Sequence, residues 1–138
     1  MTTIKFDDIE NAFMFVSMDQ EFMSNACLCT ETGQLFYASE LAGIDEFPDD
    51  IDDPKYISIP HKNDLDLGRN LVIEFVSEFL PEELDRVYSH FRHPGAYSRY
   101  KDLLFEKGLL DQWYKFEDER QKAALKAWCA ENGIAIEE

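Results

Sequence analysis

Proline and glycine divide the second half of the chain into segments with helical periodicity, and this division restricts the possible folds most strongly. The stretch LGRNLVIEFVSEFL (67–80) places Leu71, Phe75 and Phe79 four residues apart, as on one face of a helix. Pro81 suits a first helical position and begins the next apolar repeat, PEELDRVYSHFRH. These residues predict two consecutive helices.

Glycine also marks the limits of two further predicted helices. The third is expected from about residue 96 to residue 107, between Gly95 and Gly108. The fourth is expected from about residue 111 to residue 132, and Gly133 follows it. The second half therefore predicts a bundle of about four helices.

The first half predicts one helix and a small antiparallel sheet. Residues 4–20 repeat apolar side chains at helical spacing and have an acidic first turn. The runs NACLCT (25–30) and QLFYAS (34–39) are typical of strands, and Gly33 between them permits a hairpin turn. The run KYISIP (55–60) alternates like a third strand, which predicts a three-stranded meander. The predicted fold class is therefore α+β.

No linker in the chain is long enough to separate independent domains. We therefore predict that residues 1–138 form a single domain. Within it, residues 1–65 would form a lobe of one helix and the sheet. Residues 66–138 would form a helical lobe.

The chain is strongly acidic, and its charge is unevenly distributed. Its 138 residues carry a formal net charge of -16, and residues 1–66 alone hold fifteen Asp and Glu against three Lys and Arg. Such a field repels nucleic acid and anionic lipid, so direct nucleic-acid binding is not expected. No run approaches the roughly 20 apolar residues of a membrane span, and no secretory leader is visible. These observations predict a cytoplasmic protein with no membrane partner.

A positive segment interrupts this acidic background at residues 86–101. Its cations can balance carboxylates of the first half within the same molecule, which is the usual role of such clusters. Alternatively, they can bind an anionic group or an acidic segment of a partner. The segment contains the cations Arg86, Arg92, Arg99 and Lys101. The candidate binding residues are Arg92, His93, Gly95, Arg99, Lys101 and Asp102.

The helix predicted after Gly95 carries two different kinds of face. Tyr97, Tyr100 and Leu104 recur at i, i+3 and i+7, so we expect this stripe to face the core. Arg99 and Asp102 lie three residues apart on another face, which predicts an intrahelical ion pair.

Neither a metal site nor a catalytic site is predicted. Cys27 and Cys29 lie on one face of a strand, but together with His90 and His93 they do not have the spacing of a zinc site. The acidic loop 43–55 lacks the ordered ligands of a calcium loop. No nucleophile elbow, phosphate loop or dinucleotide glycine pattern occurs. We therefore expect reduced thiols, no cofactor and no catalytic residue.

Four short motifs together resemble a bacterial family known as uncharacterised protein family 0158. They are TGQ (32–34), IP (59–60), GAYSRYKD (95–102) and WYKF (113–116), and they occur in the order of that family. The chain departs from the family at Ser98, where arginine is usual. No activity is established for the family, so the resemblance implies no catalytic residue.

Three functions are compatible with these patterns. The first is a non-enzymatic interaction or regulatory protein that binds a protein partner through the segment 95–102. The second is an acidic mimic of nucleic acid that inhibits a DNA- or RNA-binding protein, because the first half is so strongly negative. The third is a binder of a small anionic ligand at the positive segment. We prefer them in this order, and an enzyme is the less expected class.

Overall fold

A mixed N-terminal part and a helical C-terminal part follow one another along the chain. The computed structural model describes residues 3–18 and 23–138. Within these residues, the α+β class predicted from the sequence is confirmed. The elements are β1 Thr3–Lys5, α1 Phe6–Ser17, β2 Ser24–Cys29, β3 Leu35–Ser39, β4 Ile44–Asp45, β5 Tyr56–Ser58, α2 Arg69–Phe79, α3 Leu84–His90, α4 Ala96–Glu106, α5 Leu110–Glu131 and β6 Ala135–Glu137. A short 3₁₀ helix, Pro81–Glu83, precedes α3.

The chain divides into two units. The sheet unit consists of Met1–Leu65 and Lys122–Glu138, and the helical unit consists of Asp66–Gln121. The first boundary coincides with the predicted change from sheet to helices. Residues 122–138, which we assigned to the helical lobe, group instead with the sheet unit, because β6 pairs in parallel with β1.

Strand β2 is the centre of a four-stranded antiparallel sheet, whose order is β4-β3-β2-β5. The predicted hairpin of β2 and β3 is present, and Gly33 in its turn has a φ of 78°. The predicted meander is not formed, because a meander would place β5 beside β3. The loop after β3 instead contributes β4, which pairs with the outer edge of β3, so β5 pairs with β2.

Helix α1 packs against β2 through the predicted apolar stripe. It begins at Phe6, because residues 3–5 pair with β6 as a strand, and it ends at Ser17. The predicted extension to residues 19 and 20 lies outside the described residues. The buried side chains of α1 are Phe6, Ile9, Ala12, Phe13 and Val16. This stripe therefore confirms the helical periodicity of the first segment.

Phe75 is at the centre of the core of the helical unit. Its ring lies 4.6 Å from Phe79, 5.3 Å from Trp113 and 5.2 Å from Phe116, measured between ring centroids. The pairs with Trp113 and Phe116 meet edge to face, the arrangement that the charge distribution of aromatic rings favours. The buried residues are Leu71, Val72, Phe75, Val76, Leu80, Val87, Tyr100, Leu103, Leu104 and Trp113. The four-residue apolar repeat of α2 therefore faces the core as predicted.

Helix α5 is the longest helix, with 22 residues, and it carries many charged side chains. Among them, Arg120 forms an ion pair and a cation–π contact within the helical unit. Its guanidinium group lies 2.6 Å from the Glu74 carboxylate and 4.8 Å from the centre of the Phe116 ring. In the described part of the chain, no helix combines the length and apolar character that a membrane crossing requires.

Candidate functional site

Two glycines set the limits of helix α4. Gly95 precedes the helix with a φ of 78°, a conformation that residues with a Cβ adopt at a cost. At the other end, the Gly108 amide donates to the Phe105 carbonyl at 3.1 Å, and the Leu109 amide donates to the Leu104 carbonyl at 2.8 Å. These two bonds form a Schellman motif and satisfy carbonyls that a helix end leaves free. The predicted glycine boundaries of α4 are therefore confirmed.

The buried side of α4 differs from the predicted stripe at two residues. Tyr100 and Leu104 are buried as predicted, but Tyr97 is 39% exposed. Leu103 is buried as well, which shifts the centre of the stripe around the helix and leaves Tyr97 at its margin. The Tyr97 ring packs edge to face on Phe91, with centroids 5.1 Å apart.

An aromatic and cationic surface occupies another side of α4. Tyr97, Lys101 and Phe105 are spaced at i, i+4 and i+8, so they share one helix face. Phe105 is 75% exposed, and Tyr114 of α5 is 44% exposed. The Lys101 ammonium lies 5.6 Å from the centre of the Tyr114 ring. We call these four residues, Tyr97, Lys101, Phe105 and Tyr114, the α4 face.

Arg99 and Asp102 are also exposed, but they lie on a different side of the helix. Arg99 is two residues from Lys101, which corresponds to a rotation of about 200° around the helix axis. Among the described residues, Arg99 and Asp102 form no ion pair within 4.0 Å, so the predicted pair is not present. An acid on the C-terminal side of its basic partner is the less favourable order on a helix, which is consistent with this result.

The remaining candidate residues lie in the turn between α3 and α4. Arg92, His93 and Gly95 are all exposed there. Arg86, a further cation of the positive segment, lies 3.6 Å from the Glu83 carboxylate. The structure therefore brings Lys101 together with aromatic side chains. It leaves Arg92 exposed, with no ion pair in the part of the chain that the structure describes.

Three buried polar atoms of the helical unit have no hydrogen-bond partner among the described residues. They are Nδ1 of His90, the Tyr100 hydroxyl and Nε1 of Trp113. Burial raises the pKa of Tyr100 far above its usual value, and the nearby Glu117 carboxylate adds to the shift. A buried hydroxyl without a partner destabilises the fold, because it loses its hydrogen bonds to water.

Replacing Tyr100 with phenylalanine is expected to raise the free energy of unfolding by about 1 kcal/mol at neutral pH, because the hydroxyl leaves and the ring stays. Since the pKa of Tyr100 is raised on folding, the wild type loses stability as the pH rises above about 10, the usual value for tyrosine. The variant does not lose this contribution. Urea denaturation at several pH values measures both effects.

Tyr114→Phe is the matched control, because Tyr114 is partly exposed. Its free energy of unfolding should stay within about 0.5 kcal/mol of the wild type, as for most surface substitutions. If Tyr100→Phe destabilised the protein more than this control, its hydroxyl would have a hydrogen-bond partner in solution.

Two cysteine thiols lie in the sheet unit, away from the α4 face in sequence. Cys27 and Cys29 are both buried. Burial raises the pKa of Cys27. A hydrogen bond from the Thr32 side chain lowers the pKa of Cys29, although burial opposes this shift. No group of three or more His, Cys, Asp or Glu side chains within residues 3–18 and 23–138 is arranged to hold a metal ion.

No family model, no curated protein and no solved structure matches this chain. Sequence reasoning selected Lys101 but not Phe105 or Tyr114. The i+4 spacing from Lys101 to Phe105 was a usable signal, whereas the contact of Lys101 with Tyr114 depends on how α4 and α5 pack.

Proposed function

We propose that the protein is a non-enzymatic interaction protein that binds a protein partner through the α4 face. The observation that carries this proposal is Phe105, which is 75% exposed on a well-formed helix beside Lys101 and Tyr114. An exposed phenylalanine contributes nothing to the core, and clustered exposed apolar side chains mark interaction surfaces in soluble proteins. Aromatic side chains also supply much of the binding energy in protein interfaces.

Lys101 adds a charge preference to this surface. Its ammonium group lies over the Tyr114 ring and, among the residues that the structure describes, has no carboxylate within 4.0 Å. It can therefore pair with an acid of a partner without losing an existing ion pair. The partner would present an apolar side chain next to a carboxylate, and the pair at the rim would favour correct orientation.

The test is affinity capture from the native host with immobilised wild type, Phe105→Ala and Lys101→Ala, followed by quantitative mass spectrometry. The wild type should capture a partner, and Phe105→Ala should reduce the captured amount at least about tenfold. Truncation of an anchor residue usually costs more than about 1.4 kcal/mol of binding free energy, which corresponds to this factor. Met14→Ala is the control, since Met14 is 57% exposed in the sheet unit.

Three further results of this experiment bear on the proposal. If every captured protein is retained equally by wild type and Phe105→Ala, the α4 face has no partner and the proposal is wrong. Arg99→Ala separates the two sides of α4, and it should weaken binding less than Lys101→Ala does. A nucleic-acid-binding protein that is captured by all variants would favour the alternative of an acidic mimic.

Membership of uncharacterised protein family 0158 is a further proposal, supported by the order of the four motifs. The most specific motif, GAYSRYKD (95–102), covers the glycine before α4 and most of the first two turns of the helix. It includes Tyr97 and Lys101 of the α4 face. If the family shares the proposed role, its members should keep an aromatic residue at the position of Phe105.

A further inference from the structure

The end of the sheet that carries β4 contains a concave site in the sheet unit. The cavity has a volume of about 490 Å³, within the range of roughly 300–1,000 Å³ that is usual for ligand sites. Its position is set by the C-terminal end of β3, the turn that follows, and β4. Its lining includes Met23, Ser39, Glu40, Leu41, Ile44 and Asp45, and we call this site the β4 pocket.

The lining of the β4 pocket combines apolar side chains with two carboxylates. Met23 is 41% exposed and Leu41 is 68% exposed, although both are large apolar residues. Glu40 and Asp45 are exposed beside them. Among the described residues, no Lys or Arg lines the pocket. The site therefore offers apolar contact together with unneutralised negative charge.

The charge of the whole sheet unit has the same sign. It contains seventeen Asp and Glu and five Lys and Arg, a formal net charge of -12. This field attracts cations toward the unit and accelerates their association, especially at low salt. The local carboxylates and the negative field around them therefore both favour a basic ligand.

The edge of the sheet indicates that the ligand is an extended chain. Strand β4 is the last strand on its side of the sheet, so in the described residues its outer backbone groups have no strand partner. In the turn before β4, the Ala42 amide already donates a hydrogen bond to the Ser39 hydroxyl at 3.3 Å. An extended peptide can pair with such an edge and place alternate side chains toward one face.

We propose that the β4 pocket binds a basic, extended peptide segment of a protein partner. The peptide places an aliphatic side chain against Met23, Leu41 and Ile44. Its flanking lysine or arginine pairs with Glu40 and Asp45. This site is independent of the α4 face and does not rest on the function proposed for it.

The test uses two capped hexapeptides as probes, one that alternates lysine with leucine and one that alternates glutamate with leucine. Binding of the fluorescently labelled peptides to the full chain is followed by anisotropy at low and at moderate salt. The lysine peptide should bind, and its affinity should fall as salt increases. The glutamate peptide should not bind measurably.

Two double variants distinguish peptide binding at the β4 pocket from attraction by the general negative field. The double substitution Glu40→Gln with Asp45→Asn should weaken the lysine peptide about tenfold, because two charge pairs at the site are lost. The control double substitution, Asp49→Asn with Asp52→Asn, removes the same charge at exposed positions outside the pocket lining. It should change the affinity less than about twofold, since only the screened long-range field is altered.

A single substitution tests the apolar contact of the β4 pocket. Leu41→Ala retains all charges and should weaken the lysine peptide about threefold or more, because apolar area is lost from the contact. Absence of binding overturns the proposal. Equal weakening by both double variants overturns it as well, because attraction would then come from the field alone.

Discussion

Replacing Phe75 with alanine is expected to lower the free energy of unfolding by about 3–5 kcal/mol, the usual cost of truncating a buried aromatic residue. Phe75 has no exposed surface and packs against the rings of Phe79, Trp113 and Phe116. Truncation removes apolar burial and leaves a cavity between α2 and α5. Those helices cannot close the cavity without disturbing their other contacts. Urea denaturation monitored by tryptophan fluorescence reports the change, because Trp113 is in direct contact with the ring.

Phe105→Ala is the matched control for this first prediction. The same atoms are removed on α4, but the side chain is 75% exposed. The free energy of unfolding should stay within about 0.5 kcal/mol of the wild type. A large loss from Phe105→Ala would show that Phe105 supports the fold, and the proposed role of the α4 face would then lose its main support.

The second large effect is expected from Leu28→Ala, which should lower the free energy of unfolding by about 2.5–5 kcal/mol. Leu28 has no exposed surface on the central strand β2. It is flanked by Leu35 of β3 and Ile57 of β5 in the sheet register. Removal of its side chain therefore weakens the packing of β2 against both β3 and β5. Because β2 lies between these two strands, its neighbours cannot easily move to fill the space. Thermal and urea denaturation measure this loss.

Leu41→Ala is the control for Leu28, because it deletes the same atoms from a side chain that is 68% exposed. Its effect on the free energy of unfolding should be below about 0.5 kcal/mol. If both leucine variants destabilised the protein equally, Leu41 would be buried in solution and the β4 pocket would be closed. The control thus also checks the site proposed for basic peptides.

The helices were predictable because their signals are local. Gly95 and Gly108 both adopt a positive φ, which ends the helical backbone conformation at each end of α4. The four-residue repeat of Leu71 and Phe75 similarly specifies one apolar side of α2. The hairpin of β2 and β3 also depends on neighbours in sequence, including Gly33 in its turn.

The sheet order was not predictable, because it depends on contacts between distant residues. Residues 4 and 5 were included in the helix predicted for residues 4–20, yet residues 3–5 pair with residues 135–137 as a parallel strand. Strand β5 could have paired with β3, but the two residues of β4 occupy that edge. Which strands pair depends on the free energies of the complete alternative sheets. A short window of sequence does not carry that information.

The candidate site was only partly predictable, because its residues belong to two helices. The segment 95–102 was selected for its cations and aromatic residues, and Arg99 and Lys101 are exposed in the structure. Helical spacing already separates these two cations around α4. The partner of Lys101 was not predictable, since Tyr114 belongs to the next helix and reaches Lys101 only when α4 and α5 pack.

Local sequence features were sufficient to predict the fold class, the ends of α4 and α5 to within about one residue, and most of the buried stripes, because backbone conformation and side-chain periodicity act over a few residues. The tertiary structure alone decided the strand order, the partial exposure of Tyr97, the surface around Phe105 and the pocket at β4. Each of these depends on how much space neighbouring elements leave, and that space is set by long-range packing.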